Sequence, residues 1–441
     1  MSRLLATEMT SQCNLAGNFN RVLNESYDLP TGEFYARAAR GAWIEDLGGR
    51  RYIDLALASG TAILGHAAQP VVEAICCQAE LGSVFTVPNP ATHRFSEILH
   101  GAMPWFSHFV LASSGSEATL RAIRLARAVS GKRKIGIFSG CWHGSHDAAL
   151  VEEDYAGPEE RPRAILKSGG TLPDILDAII FLPYNHAAAF DLIRQHRHEL
   201  AAVLIEPAQG SNPRDDVADF LAGLREVTRD NNVLLCFDEV ITGARLALGG
   251  AQERYGIKAD MAAYGKILGG GLPIGIVGGT PEIMSAIRCG GADGMPVFMG
   301  GTFSANPLTV AAGLAALGHL TEHRVQVYGH LDSMASRLRR TVNEFCAENR
   351  VPARMIGVGS MLRLLLTDRP VSSRRQRDLL EPEMAIQKGF YAALREKGVY
   401  IGSNRIIFLS VAHGPDEITS VEGALMATLG DWRNRLFQTA E

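Results

Sequence analysis

From about residue 55 to residue 325 the chain alternates short, nearly unbroken apolar runs with longer stretches of helical periodicity. The runs lie at 109–112, 134–138, 179–182, 202–205 and 233–237, with helical patterns such as 117–129 and 217–229 between them. A strand with no polar face is buried on both sides, as happens when helices cover a sheet whose strands run parallel. The alternation therefore predicts an α/β fold on a mostly parallel sheet. Such sheets bind ligands in the crevice beyond the carboxyl ends of their strands. Ser113, Trp142, Pro207, Asp238 and Lys266 all fall there.

The two ends of the chain read differently. Residues 42–53 look like two strands joined by a turn at Gly48-Gly49. Beyond about 326 come long amphipathic helices and short strands, one at 361–366. The expected division is an N-terminal segment, 1–55, a large domain, 56–325, and a C-terminal part, 326–441, the two ends forming a smaller α+β domain. Residues 152–175 read as a polar loop over the site. A net charge of −4 argues against a nucleic-acid surface. The run Arg374-Arg375-Gln376-Arg377 reads as a solvated face. Seven cysteines without a C-x-x-C pair suggest a reducing compartment. With no apolar signal core and no run of about 18 apolar residues, a cytoplasmic protein without a membrane span is expected.

Lys266 stands between an apolar run and the glycine turn Gly269-Gly270-Gly271, downstream of the acidic pair Asp238-Glu239. An amine in apolar surroundings loses hydration, and its pKa can fall by roughly 3–5 units. Such a lysine suits Schiff-base chemistry, in which the neutral amine attacks a carbonyl. Ser114-Gly115-Ser116 opens a helix whose exposed side is expected to carry Arg121, Arg124 and Arg127. Free N–H groups and the dipole at a helix start attract an anion such as a phosphate. Trp142 at a strand end could stack on a flat heteroaromatic ring, and Gly300-Gly301-Thr302 offers a second backbone nest. His143 and His146 are spaced like metal ligands, but no cysteine or carboxylate accompanies them at a matching spacing. Gly269-Gly270-Gly271 and Gly278-Gly279 lack a nucleotide-loop pattern and read as tight turns. Amine, acid and phosphate-binding segments in one chain point to pyridoxal 5'-phosphate (PLP).

In this order the segments resemble the class III, fold-type I PLP-dependent aminotransferases, among them glutamate-1-semialdehyde aminomutase and its β-amino-acid aminotransferase relatives. Leu64-Gly65-His66, 114–119, Trp142-His143-Gly144, Glu206-Pro207, 238–243, 265–271, Gly301-Thr302 and 410–413 carry the likeness. The resemblance implies a seven-stranded-type sheet in the large domain and a homodimer with shared active sites. It gives Lys266 the covalent hold on PLP and the proton transfers, and Asp238 the ring nitrogen. Trp142, beside His143, would cover one ring face and Val240 the other. Ser114, Gly115 and Ser116 would hold the phosphate, with Gly301 and Thr302 reaching it from the partner subunit. Arg405 falls where the aminomutase has a glutamate, which suits a substrate carboxylate. Ser211 stands where ornithine-type relatives place a gating glutamate. The expected partners are a small amino donor and a carbonyl acceptor. The expected activity is amino transfer between a carboxylate-bearing amino compound, such as a β- or ω-amino acid, and a keto acid or aldehyde. An aminomutase and a non-catalytic PLP-binding homologue are the alternatives.

Overall fold

The computed structural model describes residues 34–437. Near the start of this range β1 (Ala36–Arg40), β2 (Trp43–Asp46) and β3 (Arg51–Asp54) form an antiparallel ribbon. The central strands follow: β4 (His108–Ala112), β5 (Lys134–Phe138), a small hairpin of β6 (Val151–Glu153) and β7 (Ala164–Leu166), then β8 (Ile179–Leu182). After them come β9 (Leu200–Ile205), β10 (Leu234–Glu239), β11 (Met261–Gly265) and β12 (Gly275–Gly279). Seven of these build one sheet in the order β4-β12-β11-β10-β9-β5-β8. Only β12 runs antiparallel to its neighbours, so the mostly parallel α/β sheet is borne out.

Alternating side chains feed two cores. Leu235 and Phe237 pack on one face with Val203, Ile205 and Tyr264. Cys236 packs on the other with Leu204, Ala263 and the helix Gly115–Ser130. Because successive residues of a strand face opposite ways, the next two residues of β10 part company: Asp238 follows Cys236 toward that helix, and Glu239 follows Phe237.

Two expectations from the sequence need correcting here. Gly278-Gly279 is no turn but the end of β12. A Cβ on Gly278 would come within 2.8 Å of Phe106, so the strand is glycine-rich because it is crowded. Arg121 is not on an exposed face of its helix. It is 2% exposed and pairs with Glu117, while its Nη1 donates to the Leu111 carbonyl at 2.8 Å.

The remaining strands are β13 (Arg354–Val358), β14 (Met361–Leu365), β15 (Val399–Tyr400) and β16 (Ile407–Phe408). β15 pairs in parallel with β3, so early and late segments share a four-stranded sheet, and β13-β14-β16 form another. Arg245 joins these parts. It is 1% exposed and donates to Ser360 Oγ at 2.9 Å, to the Leu409 carbonyl at 3.1 Å and to the Gly60 carbonyl. Gly60 ends a run from Leu57 in which every φ is positive. Asp54 steadies that run by accepting the N–H of Ala56 at 2.7 Å and of Leu57 at 3.0 Å.

The arginine run at 374–377 is also not a solvated face. Arg377 is buried against Asp378 and the Ser211 carbonyl. Arg375 pairs with Glu153 at 2.8 Å and donates to the Tyr155 and Gly157 carbonyls. The guanidinium charges are matched by carboxylates and carbonyls, and the run clasps the β6–β7 hairpin. Among the described residues no helix is long and apolar enough to cross a membrane.

Candidate active site

A cavity of about 390 Å³ opens at the carboxyl ends of β4, β5, β9, β10 and β11. Its wall includes Ser114, Trp142, Glu206, Asp238, Val240 and Lys266. Asp238, 4% exposed, is held at both oxygens: Oδ1 accepts the Val240 N–H at 3.0 Å and Oδ2 faces His143 Nδ1 at 2.7 Å. With a carboxylate opposite, Nδ1 is the donor. His143 is itself buried, and its Nε2 has no hydrogen-bond partner among the described residues. Glu239, next in sequence, points away. Its carboxylate accepts from Thr242 Oγ1 at 2.7 Å and from the N–H of Ala251 at 2.8 Å, capping the helix Gly250–Tyr255.

Lys266 begins a tight helical turn directly after β11 and has a φ of 47°. The strand end and this left-handed residue place its side chain in the cavity wall. Burial of the amine lowers its pKa, against the pull of Asp238 and Glu206. Glu206 follows β9 and accepts the N–H of Trp142 at 3.1 Å and of Gly210 at 3.3 Å. Burial, reinforced by the charge of Asp238, pushes its carboxyl up to about 7. The sequence carried Glu206 within its Glu206-Pro207 segment but gave no sign that this acid stays inside.

Ser114 caps the helix Gly115–Ser130, its Oγ accepting the Glu117 N–H at 3.1 Å. Ser116 Oγ accepts the Ser145 N–H at 3.2 Å, and Thr119 Oγ1 donates to the His143 carbonyl at 2.6 Å. These bonds lock the helix start to the 142–146 loop. The two segments touch so closely that a Cβ on Gly144, where φ is +104°, would lie 2.4 Å from Ser116 Oγ. Thr61, carried by the left-handed run that Arg245 and Asp54 hold, also lines the cavity. Neither Thr61 nor Arg245 stood out in the sequence.

Ser114, Gly115, Ser116, Trp142, His143, Asp238, Val240 and Lys266 thus converge on one cavity. Three expected residues do not line it. Gly301 and Thr302 are exposed, in a segment tied down by the bond from Arg121 Nη2 to the Gly300 carbonyl at 2.9 Å. Arg405 donates to Gln387 Oε1 at 2.8 Å and contacts Met384 Sδ. The groups present fit PLP: a helix start with free N–H groups for the phosphate, flat and branched apolar walls, an acid for the ring nitrogen and an amine for the aldehyde.

The fold and this donor set define a fold-type I, PLP-dependent enzyme. The class-III aminotransferase family model matches residues 27–412. The chain is 36% identical over 392 residues to the glutamate-1-semialdehyde 2,1-aminomutase of Thermomicrobium roseum, covering 88% of this chain and 89% of that protein. Its fold superposes with a TM-score of 0.87 on an ω-transaminase from Sphaerobacter thermophilus, at 35% identity over 95% of this chain and 96% of that one. A transaminase with PLP bound matches with a TM-score of 0.83 and 28% identity, covering 94% of each chain. The chain belongs to the class-III aminotransferases.

Proposed function

We propose that this protein is an aminotransferase that takes the amino group of a carboxylate-bearing amino compound, of the β- or ω-amino acid kind, and passes it to a keto acid or aldehyde. The observation that carries the reading is the desolvated Lys266 amine in a cavity shared with Asp238. Bound PLP supplies an electron sink that makes the hydrogen on the substrate's amino carbon acidic. Lys266 Nζ takes that proton and returns it, and burial, which lowers its pKa, favours the neutral amine that this role needs. Asp238, oriented by His143 and the Val240 N–H, holds its negative charge against the ring nitrogen and keeps a proton there. Trp142 and Val240 keep water from the two faces of the ring. Ser114, Gly115 and Ser116 hold the phosphate through hydroxyl and N–H groups. Gly301 and Thr302, on the exposed surface, would complete the phosphate site of a second copy in a homodimer.

The likeness to an ω-transaminase supports transfer to a separate acceptor. The likeness to aminomutases favours a second reading, in which the amino group returns to the same carbon skeleton. Spectroscopy of the PLP-loaded protein separates the two. Amino donor alone should convert the bound cofactor to its pyridoxamine form and release a carbonyl product, with further turnover requiring an acceptor. Rearranged product formed without acceptor would replace transfer by isomerisation.

A further inference from the structure

The reading as an aminotransferase of acids leaves open what receives the acid group. Arg405 is engaged by Gln387 and Met384. Inside the cavity the carboxylate of Asp238 acts on Lys266, and it draws an amine inward and repels an acid. The opposite charge stands at the rim. The ammonium of Lys167 lies 4.8 Å from the centre of the Trp142 ring, and Trp142 is 46% exposed. Among the described residues Lys167 has no salt bridge. Arg374, close enough for its charge to act on Lys167, packs on Gly140, its Nη1 3.5 Å from the Gly140 carbonyl. Two carboxylates, Glu152 and Asp378, act on Lys167 from nearby. Asp378 is already shared by Arg374, Arg377 and the Tyr155 hydroxyl, and Glu152 is exposed on β6.

We propose that Lys167, backed by Arg374, is the acid-recognising subsite, binding the substrate carboxylate at the outer edge of Trp142 while the amine goes inward to Lys266. This rests on the aminotransferase reading and narrows its substrate class. Trp142 lines the cavity and Lys167 does not, so the indole separates the two ends of the substrate. On this placement an acid on the reacting carbon stays on the cavity side of the indole, whereas one carried on a spacer extends toward Lys167. Such a subsite favours amino acids whose carboxylate is carried on a spacer over α-amino acids.

The test follows the first half-reaction by cofactor absorbance, with γ-aminobutyrate and butylamine as matched donors and no acceptor present. Lys167→Ala should lower the acid-to-amine ratio of rate over half-saturation up to about fivefold, Lys167→Glu up to about twenty-five-fold, and Lys167→Arg should restore it, as for one exposed charge removed, reversed and replaced. High salt should lower the ratio in the unsubstituted protein and not in Lys167→Ala, because an exposed charge is screened. A ratio unchanged within about twofold in Lys167→Glu overturns the subsite and leaves the aminotransferase reading standing. Rearranged product from a single amino substrate, or inertness to both donors, overturns that reading and the subsite with it.

Discussion

Gly275→Ala tests whether the phosphate turn is held by close backbone contact. A Cβ at this position would lie 1.9 Å from the Ser114 carbonyl oxygen and 2.6 Å from its carbon. Ordinary carbon–oxygen contacts need about 3.3 Å, so something must move by more than about 1 Å. β12 cannot yield. Gly275 is paired with Gly265 on one side, next to Lys266, and with Ala112 on the other. The displacement falls instead on Ser114 and Gly115, at the mouth of the helix. Overpacking a dense interior typically costs about 1–3 kcal/mol, and with backbone as the obstacle the upper end applies. Urea unfolding of the cofactor-free protein should show that loss. Titration with PLP should show affinity lowered by one to two decades, since a shift of about 1 Å at a positioned group can cost about a hundredfold. Gly318→Ala is the control: nothing lies within 4 Å of its Cβ, in the helix Pro307–Glu322, and stability should rise by up to about 1 kcal/mol. Unchanged PLP affinity and stability in Gly275→Ala would refute the argument.

Other substitutions probe the charges. Lys266→Met should abolish amino transfer while the cofactor-free protein becomes no less stable, because a desolvated amine is removed from the cavity wall; a clear loss in urea unfolding would speak against its lowered pKa. Asp238→Ala should slow the half-reaction by about two to four decades, the kinetic equivalent of roughly 3–5 kcal/mol for a broken buried pair, measured by stopped-flow absorbance. Glu206 has a folded pKa raised from 4.5 to about 7. Its protonated form favours the folded state, so its contribution is full below about pH 4.5 and is lost as pH rises toward 7. The stability gap between Glu206→Gln and the unsubstituted cofactor-free protein should therefore shift in favour of Gln between pH 5 and 8 in urea titrations, and a constant gap would count against the shift. Arg245→Lys should cost about 1–3 kcal/mol in the same assay, because one ammonium cannot replace a guanidinium bonded to Gly60, Ser360 and Leu409.

What the sequence showed of this protein follows from which signals are local. Apolar runs buried on both faces announce a helix-covered sheet directly, and β5 and β8 fall on the runs at 134–138 and 179–182. β12 escaped because its glycines answer to neighbours distant in the chain, Ser114 and Phe106, and not to a turn. The arginine run at 374–377 misled for the same reason at Arg375, whose carboxylate partner Glu153 lies more than two hundred residues earlier. Arg405 looked like a substrate ligand by its chemistry, and only the fold shows its guanidinium at Gln387.

Asp238 and Glu239 show how far local reading can go. Adjacent in sequence and both buried, they are chemically interchangeable until the pleat is known. Cys236 in one core and Phe237 in the other fix that pleat, which turns Asp238 to the cavity and Glu239 to the helix Gly250–Tyr255. Each acid then acquires its function from what it faces. Glu239 meets N–H groups and a hydroxyl that satisfy it fully, so it serves the fold. Asp238 meets His143 and one N–H on the wall of a cavity, with an amine across from it, and its charge remains directed at whatever the cavity binds. A one-residue slip in the register of β10 would turn Asp238 away from His143 and the cavity and bring the longer Glu239 to that face.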